Sequence, residues 1–187
     1  MNAAVLRAYG DPLTLEEVEL APPGPGRVRV AIAATGVCHS DLSVVKGAFP
    51  QPLPAVLGHE GAGAVIECGP GVTSVAPGDH VVLSWVAPCR RCRWCLGGQV
   101  ELCRHGLDHA FGEPYGTVGG EGVHAAFGTA TFATETVVPA ACAIRIDPAF
   151  PLELAALAGC CVVTGVGAVL NSARVSPARS CSSAFSR

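Results

Sequence analysis

Short runs of alternating small, β-branched and polar residues dominate the first part of the chain. Segments 28–38 (VRVAIAATGVC), 61–69 (GAGAVIECG) and 79–86 (DHVVLSWV) each place apolar residues as a half-buried or buried strand does. The Pro-Gly-Asp sequence at 77–79 predicts a turn between the last two segments. The pattern therefore favours antiparallel strands joined by tight turns.

The later segments carry weaker signals. Segment 131–146 predicts two more short strands, whereas residues 104–127, rich in Gly and His without a clear period, predict a long loop. Helix signals are scarce before residue 150. The first convincing helix lies at 151–160 (PLELAALAGC), with Pro at its start, an acid in its first turn and Gly near its end. The chain is thus expected to be mainly β, with a partly open β-barrel over residues 1–150 followed by a helix.

Composition narrows the classes of partner. The chain has 187 residues, of which 50% are hydrophobic and 14% charged, with a formal net charge of −3. No basic block stands out, which argues against a nucleic-acid partner. The N-terminus lacks a basic region followed by an apolar one, and no apolar run is expected to be long enough to cross a membrane. A cytoplasmic address without a membrane partner is the expectation.

Ten cysteines in a chain without a secretion signal favour metal ligation over disulfides. Cys89, Cys92, Cys95 and Cys103 follow a C-x2-C-x2-C-x7-C pattern. Four thiolates on one loop suit tetrahedral zinc and leave no open position, so this site is expected to be structural. An iron–sulfur cluster needs the same four thiolates, and a disulfide set is the other alternative, so ligand type alone does not exclude them.

A second, dispersed group could form a catalytic metal site. It comprises Cys38 in GVCHSD, His59 in GHE, and Cys160 or its neighbour Cys161 in AGCCVVTG. Two thiolates and one imidazole leave the fourth position of zinc open, which is typical of catalytic sites. Each residue alone also has an ordinary structural explanation, because cysteine is often a small buried hydrophobe.

Several motifs together resemble the catalytic half of the zinc-dependent medium-chain alcohol dehydrogenase family. The family pattern G-H-E-x-x-G-x-x-x-x-x-G-x-x-V is met in full from Gly58 to Val72, and C-x-[ST]-D is met from Cys38 to Asp41. The four-cysteine spacing matches, as do the segments 127–138 and 159–175. The resemblance implies a GroES-like, partly open β-barrel with a zinc-binding lobe at about 87–105.

The resemblance also implies the metal ligands. Cys38, His59 and Cys160 would bind a catalytic zinc, and the four-cysteine lobe a structural zinc, giving two zinc ions per chain. Glu60 would sit behind the metal as a transient ligand, and Asp41 would accept a hydrogen bond from the other nitrogen of His59 and fix its tautomer.

Further residues receive roles by the same resemblance. Ser40 would pass the alcohol proton outward, although the family's usual histidine three residues later is Ser43 here. His39 would lie near the coenzyme pyrophosphate and Thr164 near the nicotinamide, while Trp85 would line the substrate cleft. The implied reaction oxidises a small alcohol to an aldehyde or ketone with hydride transfer to NAD(P), in an enzyme whose full-length relatives are expected to be homo-oligomers.

The end of the chain departs from the family. No G-x-G-x-x-G loop follows a strand, and TGVGAVL at 164–170 lacks the strand before it and the acid after it that a dinucleotide site needs. Residues 151–175 are expected to form a connecting helix and the start of a coenzyme domain. The tail 176–187 is atypical and resembles a frameshifted product. A chain truncated in this way is expected to be inactive alone.

Two alternatives to this dehydrogenase interpretation stay open. A non-catalytic zinc-binding GroES-like module would need no coenzyme, and a thiol-dependent formaldehyde dehydrogenase would share every motif above. The sequence does not choose the substrate, or NAD over NADP.

Overall fold

The computed structural model describes residues 1–175, and the predicted frameshifted tail lies outside them. Eleven strands and four α-helices make up the regular structure of that part of the chain. The strands are β1 (Asn2–Leu6), β2 (Thr14–Glu17), β3 (Glu19–Leu20), β4 (Arg27–Gly36), β5 (Ala55–Val56), β6 (Glu60–Cys68), β7 (His80–Leu83), β8 (Gly116–Val118), β9 (Glu121–Ala125), β10 (Glu135–Pro139) and β11 (Ala143–Arg145). The helices are α1 (His39–Val45), α2 (Arg93–Leu96), α3 (Leu152–Leu157) and α4 (Val163–Gly167).

The strands form two sheets that curl towards each other. One has the antiparallel order β10-β4-β6-β7-β11, and the other the order β2-β1-β5-β9-β8-β3 with β5 and β9 parallel. The segment before β10 joins them, because the Ile32 amide donates to the Thr134 carbonyl at 2.9 Å and the Thr134 amide donates to the Asn2 carbonyl at 2.9 Å. The mainly β, partly open barrel predicted from the sequence is therefore confirmed.

Each sheet buries one face of β-branched side chains. Val28, Val30, Val65 and Val81 form one cluster, and Val5, Val18, Val56 and Val123 another. Val28 and Val30 are two positions apart on β4, as a pleated sheet with one buried face requires. The two clusters hold the barrel rigid, so its rim can present polar side chains in fixed positions.

The predicted core strands correspond to β4, β6 and β7, with ends that move by one to three residues. The predicted long loop at 104–127 is wrong in its second half, where β8 and β9 form a hairpin. Gly119 and Gly120 both have positive φ, +57° and +87°, which is the backbone of a two-residue hairpin turn. The pair Gly-Gly between Val118 and Glu121 was the sequence signal that could have revealed it.

Helix α1 lies in the part of the chain where helix signals are scarce, and the sequence analysis did not predict it. Its N-terminus is closed by a capping box, in which the Asp41 carboxylate accepts a hydrogen bond from the Cys38 amide at 3.0 Å. The capping residue is a cysteine, a residue rarely used for this purpose, so the start signal was weak.

The expectation that no apolar run reaches membrane-spanning length is wrong, judged by the length and composition of one helical run. One helical run, the 21 residues from Leu152 to Ser172, is long and apolar enough to cross a membrane. It was overlooked because three glycines and a threonine interrupt it. Its first turns pack on the barrel, where Ala155 and Ala156 are buried against Ala62.

Side-chain exposure along this run is uneven. Leu154, Val166 and Leu170 are about half exposed or more, whereas Leu152 packs against the buried alanine cluster. The run also contains two π-helical turns, Ala158–Val162 and Ala168–Ser172. Such turns often mark functional positions in helices, and the first of them contains Cys160.

Candidate metal centres and active site

The four cysteines of the predicted lobe meet in space. The sulfur atoms of Cys89, Cys92, Cys95 and Cys103 all lie within 4.8 Å of one another. The Cys92 sulfur is 3.6 Å from that of Cys95 and 4.0 Å from that of Cys103. A zinc tetrahedron with bonds of 2.3 Å separates its sulfurs by about 3.8 Å. The thiols are thus already arranged as four corners of a zinc site.

The local backbone favours thiolates in this lobe. Backbone amides of Cys95 and Arg104 donate to the Cys92 sulfur and lower its pKa to about 6. Burial, together with the neighbouring sulfurs of Cys103 and Cys92, raises the pKa of Cys95 to about 12. Cys92 ionises readily, whereas the neighbouring sulfurs oppose the ionisation of Cys95. A divalent cation among the four sulfurs would remove the repulsion between the thiolates. The donor set fits zinc.

A second cluster forms where α1, β6 and the first π-helical turn meet. One ligand atom from each of Cys38, His59, Glu60 and Cys160 lies within 4.8 Å of the other three. His59 and Glu60 are almost fully buried, and the two cysteines are partly exposed. The structure therefore assembles the three dispersed ligands named from the sequence, and adds Glu60 at the same distance. Cys161, the alternative to Cys160, is exposed and donates to the Leu157 carbonyl instead.

Asp41 organises this second cluster. Its carboxylate accepts hydrogen bonds from the Cys38 amide at 3.0 Å and the Gly58 amide at 3.1 Å, and it lies 3.2 Å from Nδ1 of His59. The Asp41 side chain is 3% exposed. An Nδ1–H group that donates to this carboxylate leaves Nε2 free to act as a metal ligand. Gly58 has φ +91°, a conformation that brings its amide to Asp41 and that other residues rarely adopt.

The pKa values in this second cluster are also shifted by the close approach of its ionisable groups. Burial and the adjacent Cys38 and Glu60 raise the pKa of Cys160 to about 12. Burial opposes ionisation of Cys38, but hydrogen bonds from Ser40 and His59 outweigh it and lower the Cys38 pKa. Burial likewise opposes protonation of His59, and the contact with Asp41 more than offsets it, so the His59 pKa is raised. Two thiols and a carboxylate around one imidazole are a donor set that fits a divalent cation.

A cavity of about 340 Å³ opens beside this cluster. His59 and Cys160 contribute to its wall, together with Ser40, Ser43 and Ala48. Three aromatic side chains form the rest, namely Phe49, Trp85 and Phe127. The Phe49 and Phe127 rings stack with centroids 5.5 Å apart, and Trp85 meets Phe127 edge-on at 6.0 Å.

The sequence-named residues divide between this cavity and its surroundings. Ser40 and Trp85 line it, as expected of residues near a substrate. His39 and Thr164, named for coenzyme binding, are exposed and do not line it. Phe49 and Phe127 were missed, although each is an aromatic residue next to small residues in a chain with only 5% aromatics.

Comparison with known proteins places the chain in a family. Residues 24–148 match the family model of the alcohol dehydrogenase GroES-like domain. The chain belongs to this family. It is 41% identical over 182 residues to the S-(hydroxymethyl)glutathione dehydrogenase of Paracoccus denitrificans. The alignment covers 93% of this chain and 48% of that relative.

Solved structures agree with this assignment. The alcohol dehydrogenase zinc-binding domain protein of Burkholderia ambifaria superposes with a TM-score of 0.87 at 41% identity, over 93% of this chain and 49% of that one. Benzyl alcohol dehydrogenase of Acinetobacter calcoaceticus superposes with a TM-score of 0.83 at 36% identity, over 96% of this chain and 50% of that one. The chain thus spans about half the length of the relatives it matches.

Proposed function

We propose that this chain is the catalytic, zinc-binding part of an alcohol dehydrogenase that oxidises a small alcohol to an aldehyde or ketone. The observation that carries the proposal is the meeting of Cys38, His59, Glu60 and Cys160 within 4.8 Å at the wall of a cavity. A purely structural metal site has no need of a cavity beside it. This contrast favours catalysis over the alternative of a non-catalytic zinc module.

Each metal would have its own residues. Cys89, Cys92, Cys95 and Cys103 would hold a structural zinc, and Cys38, His59 and Cys160 a catalytic one, with Glu60 as an exchangeable fourth ligand. Zinc at the second site would supply a positive charge that lowers the pKa of an alcohol hydroxyl, and an NAD(P) coenzyme would supply the hydride acceptor.

The chain's own residues would position the alcohol and move its proton. Asp41 holds the His59 ring in one orientation. Ser40 lines the cavity with its hydroxyl 3.6 Å from the Cys38 sulfur, and would take the proton from the alcohol oxygen. Ser43 also lines the cavity and lies 3.4 Å from Nδ1 of the exposed His39, so this pair offers the proton a path to solvent. Thr164 would face the nicotinamide.

The walls of the cavity favour a flat, aromatic primary alcohol. Phe49, Trp85 and Phe127 provide faces and edges against which a ring can pack. S-(hydroxymethyl)glutathione, the substrate in the name of one relative, is the second candidate. That molecule carries carboxylates, and none of the residues that line the cavity has a permanent positive charge. We therefore place benzyl-type alcohols first.

Cobalt substitution tests the proposal without requiring turnover. The chain loaded with two cobalt ions should show thiolate-to-metal absorption from both sites, and benzaldehyde should perturb only one of them. Replacing His59 by Ala should abolish the perturbed component and leave the lobe component intact. If benzaldehyde leaves both components unchanged, the site does not bind a carbonyl substrate. A larger response to S-(hydroxymethyl)glutathione than to benzaldehyde would reverse the order of the two substrates.

A further inference from the structure

A second cavity lies on another part of the barrel. It has a volume of about 390 Å³ and shares none of its lining residues with the cavity beside the metal cluster. Arg27, His109, Glu113, Tyr115 and His124 bring polar groups to it. We name it the Arg27 cavity. Its size falls at the lower end of the range for small-molecule sites, about 300–1,000 Å³.

Arg27 brings a guanidinium group with little local compensation. Its Nη2 donates to the Val137 carbonyl at 2.8 Å, and within residues 1–175 no carboxylate lies at ion-pairing distance from it. The side chain is partly buried, and burial lowers the pKa of Arg27. A desolvated guanidinium without a counter-ion is costly, and its remaining N–H groups suit a carboxylate.

Two further donors in this cavity lack partners in the described structure. Tyr115 is 6% exposed, and its hydroxyl is buried without a hydrogen bond. Nδ1 of His109 is also buried and unpartnered, while its Nε2 lies 3.5 Å from the Cys142 sulfur. Burial raises the pKa of Cys142 to about 12, so that thiol keeps its proton. In the tautomer that suits an anion, the thiol would donate to Nε2 and the imidazole proton would lie on Nδ1, as a donor.

The other residues that line the cavity determine which anions fit it. Ala21, Pro22, Ala110, Pro114, Ala125 and Val137 give the cavity apolar walls. Glu113 also lines it and repels a second negative charge. A single carboxylate on a small apolar body matches both properties, whereas a phosphate dianion matches neither.

We propose that the Arg27 cavity binds a small organic monocarboxylate, held by Arg27, Tyr115 and His109. Arg27 would supply the charge and an N–H fork, and the other two side chains would each donate one hydrogen bond. The apolar body would rest against the alanine and proline walls. This site is separate from the metal centres and does not depend on the proposed dehydrogenase activity.

Calorimetric titration of the zinc-loaded chain with benzoate tests this proposal. We expect saturable binding of one benzoate per chain, weakened at least tenfold by Arg27→Gln and at least threefold by Tyr115→Phe. Arg29→Gln is the matched control, because Arg29 lies on the same strand, pairs with Glu135 at 2.6 Å and does not line the cavity. Benzamide, the neutral analogue, should bind at least tenfold more weakly than benzoate.

The variants also separate binding from folding. Tyr115→Phe removes an unpaired buried hydroxyl, so its unfolding temperature should stay the same or rise while benzoate binding weakens. Arg27→Lys keeps the charge but loses the fork, and replaces Arg27→Gln if the latter does not fold. The proposal is overturned if benzoate does not bind, if it binds Arg27→Gln or Arg27→Lys as tightly as the parent, or if Arg29→Gln weakens it equally. Benzoate that bound only at the catalytic metal would bind Arg27→Gln as tightly as the parent, and would therefore overturn the proposal.

Discussion

At the scale of single residues, Asp41 connects three parts of the second cluster. One buried carboxylate fixes the N-terminus of α1 through Cys38, the turn before β6 through Gly58, and the ring of His59. Because two of the proposed ligands depend on it, Asp41 links the position of a thiol to that of an imidazole.

Replacing Asp41 by Asn should weaken zinc at the second cluster and spare the lobe. The amide has nearly the same shape but only one acceptor oxygen, so Cys38, Gly58 and His59 cannot all stay bonded to it. We expect a 10- to 100-fold lower zinc affinity at one of two sites, measured by competition with a chromogenic chelator. Asp11→Asn, at an exposed position, is the control. Equal loss from both sites would show that Asp41 acts on the whole fold.

His109 should make stability depend on pH. Burial first, and the charge of Arg27 second, lower its pKa from 6.5 to about 4, although Asp108 acts in the opposite direction. Between these pH values the unfolded chain binds a proton that the folded chain rejects. The contribution of His109 to the free energy of unfolding is therefore fully present above about pH 6.5, and it is lost as the pH decreases towards 4. With a discount for partial exposure, the loss is roughly 1–2 kcal/mol.

The measurement is urea unfolding at about pH 7 and about pH 5, for the parent and His109→Gln. The variant should lose less stability between the two pH values, and acid release of metal affects both proteins alike. His105→Gln, at an exposed histidine next to Asp108 in the fold, should behave like the parent. Parallel pH profiles for the parent and His109→Gln would refute the assignment.

Sequence reasoning was strongest for residues with chemically distinctive side chains. Cys38, His59 and Cys160 could be named because the motifs around them resemble the family pattern, which also favoured Cys160 over Cys161. Phe49 and Phe127 could not, because an aromatic side chain near glycine looks the same in a core and in a cavity wall. Arg27 gave no signal either, since only the fold shows that none of the carboxylates in residues 1–175 pairs with it.

At the scale of elements, the helical run from α3 to the last π-helical turn decides the shape of the metal site. It passes close to β7, where a Cβ atom on Gly159 would lie 2.5 Å from the Leu83 carbonyl oxygen. The next residue is Cys160. The small size of Gly159 therefore lets the turn that carries the proposed ligand Cys160 approach the barrel.

Gly159→Ala should move this turn outward and lower stability by about 1–3 kcal/mol. The lobe zinc should stay bound, while the second zinc is lost or weakened. Gly165→Ala is a matched control in the same run, because nothing lies within 4 Å of a Cβ there, and it should stabilise the helix by up to about 1 kcal/mol. Thermal unfolding and zinc content distinguish the two. If Gly159→Ala keeps both zinc ions and its unfolding temperature, close packing is not what positions Cys160.

Elements differed in how visible they were in the sequence. Strands β4, β6 and β7 supply most of one core cluster, and their apolar residues form a clear pattern in the sequence. The hairpin of β8 and β9 has only three and five residues, too few for a period to emerge from Gly- and His-rich surroundings. Helix α1 has only seven residues, too few for a helical period of apolar residues to be recognised. Short elements take their structure from the neighbours they pair with, which a local pattern does not contain.

At the scale of the whole molecule, the described chain presents an apolar surface on one side. Val163, Val166, Val169 and Leu170 are each 48–59% exposed along the helical run. In the proposed enzyme, a coenzyme domain would cover this side. The isolated chain should therefore self-associate as its concentration rises.

Substituting Val166→Lys and Leu170→Lys together should shift the chain towards monomer in sedimentation velocity. The two charges interrupt the apolar surface without touching the barrel. Leu15→Lys is the control, since Leu15 is 79% exposed on β2, outside this surface. An unchanged sedimentation profile for the double variant would place the self-association elsewhere.

As a proposed ligand, Cys160 would couple metal binding to the attachment of the helix. Cys38 and His59 belong to the barrel, whereas Cys160 belongs to the run that leaves it. Zinc that binds only the complete set stabilises the docked helix by thermodynamic linkage, about 1.4 kcal/mol for each tenfold excess of free metal over its dissociation constant. Zinc supply would then regulate the geometry between the barrel and whatever the helix leads to, as well as the chemistry at the metal.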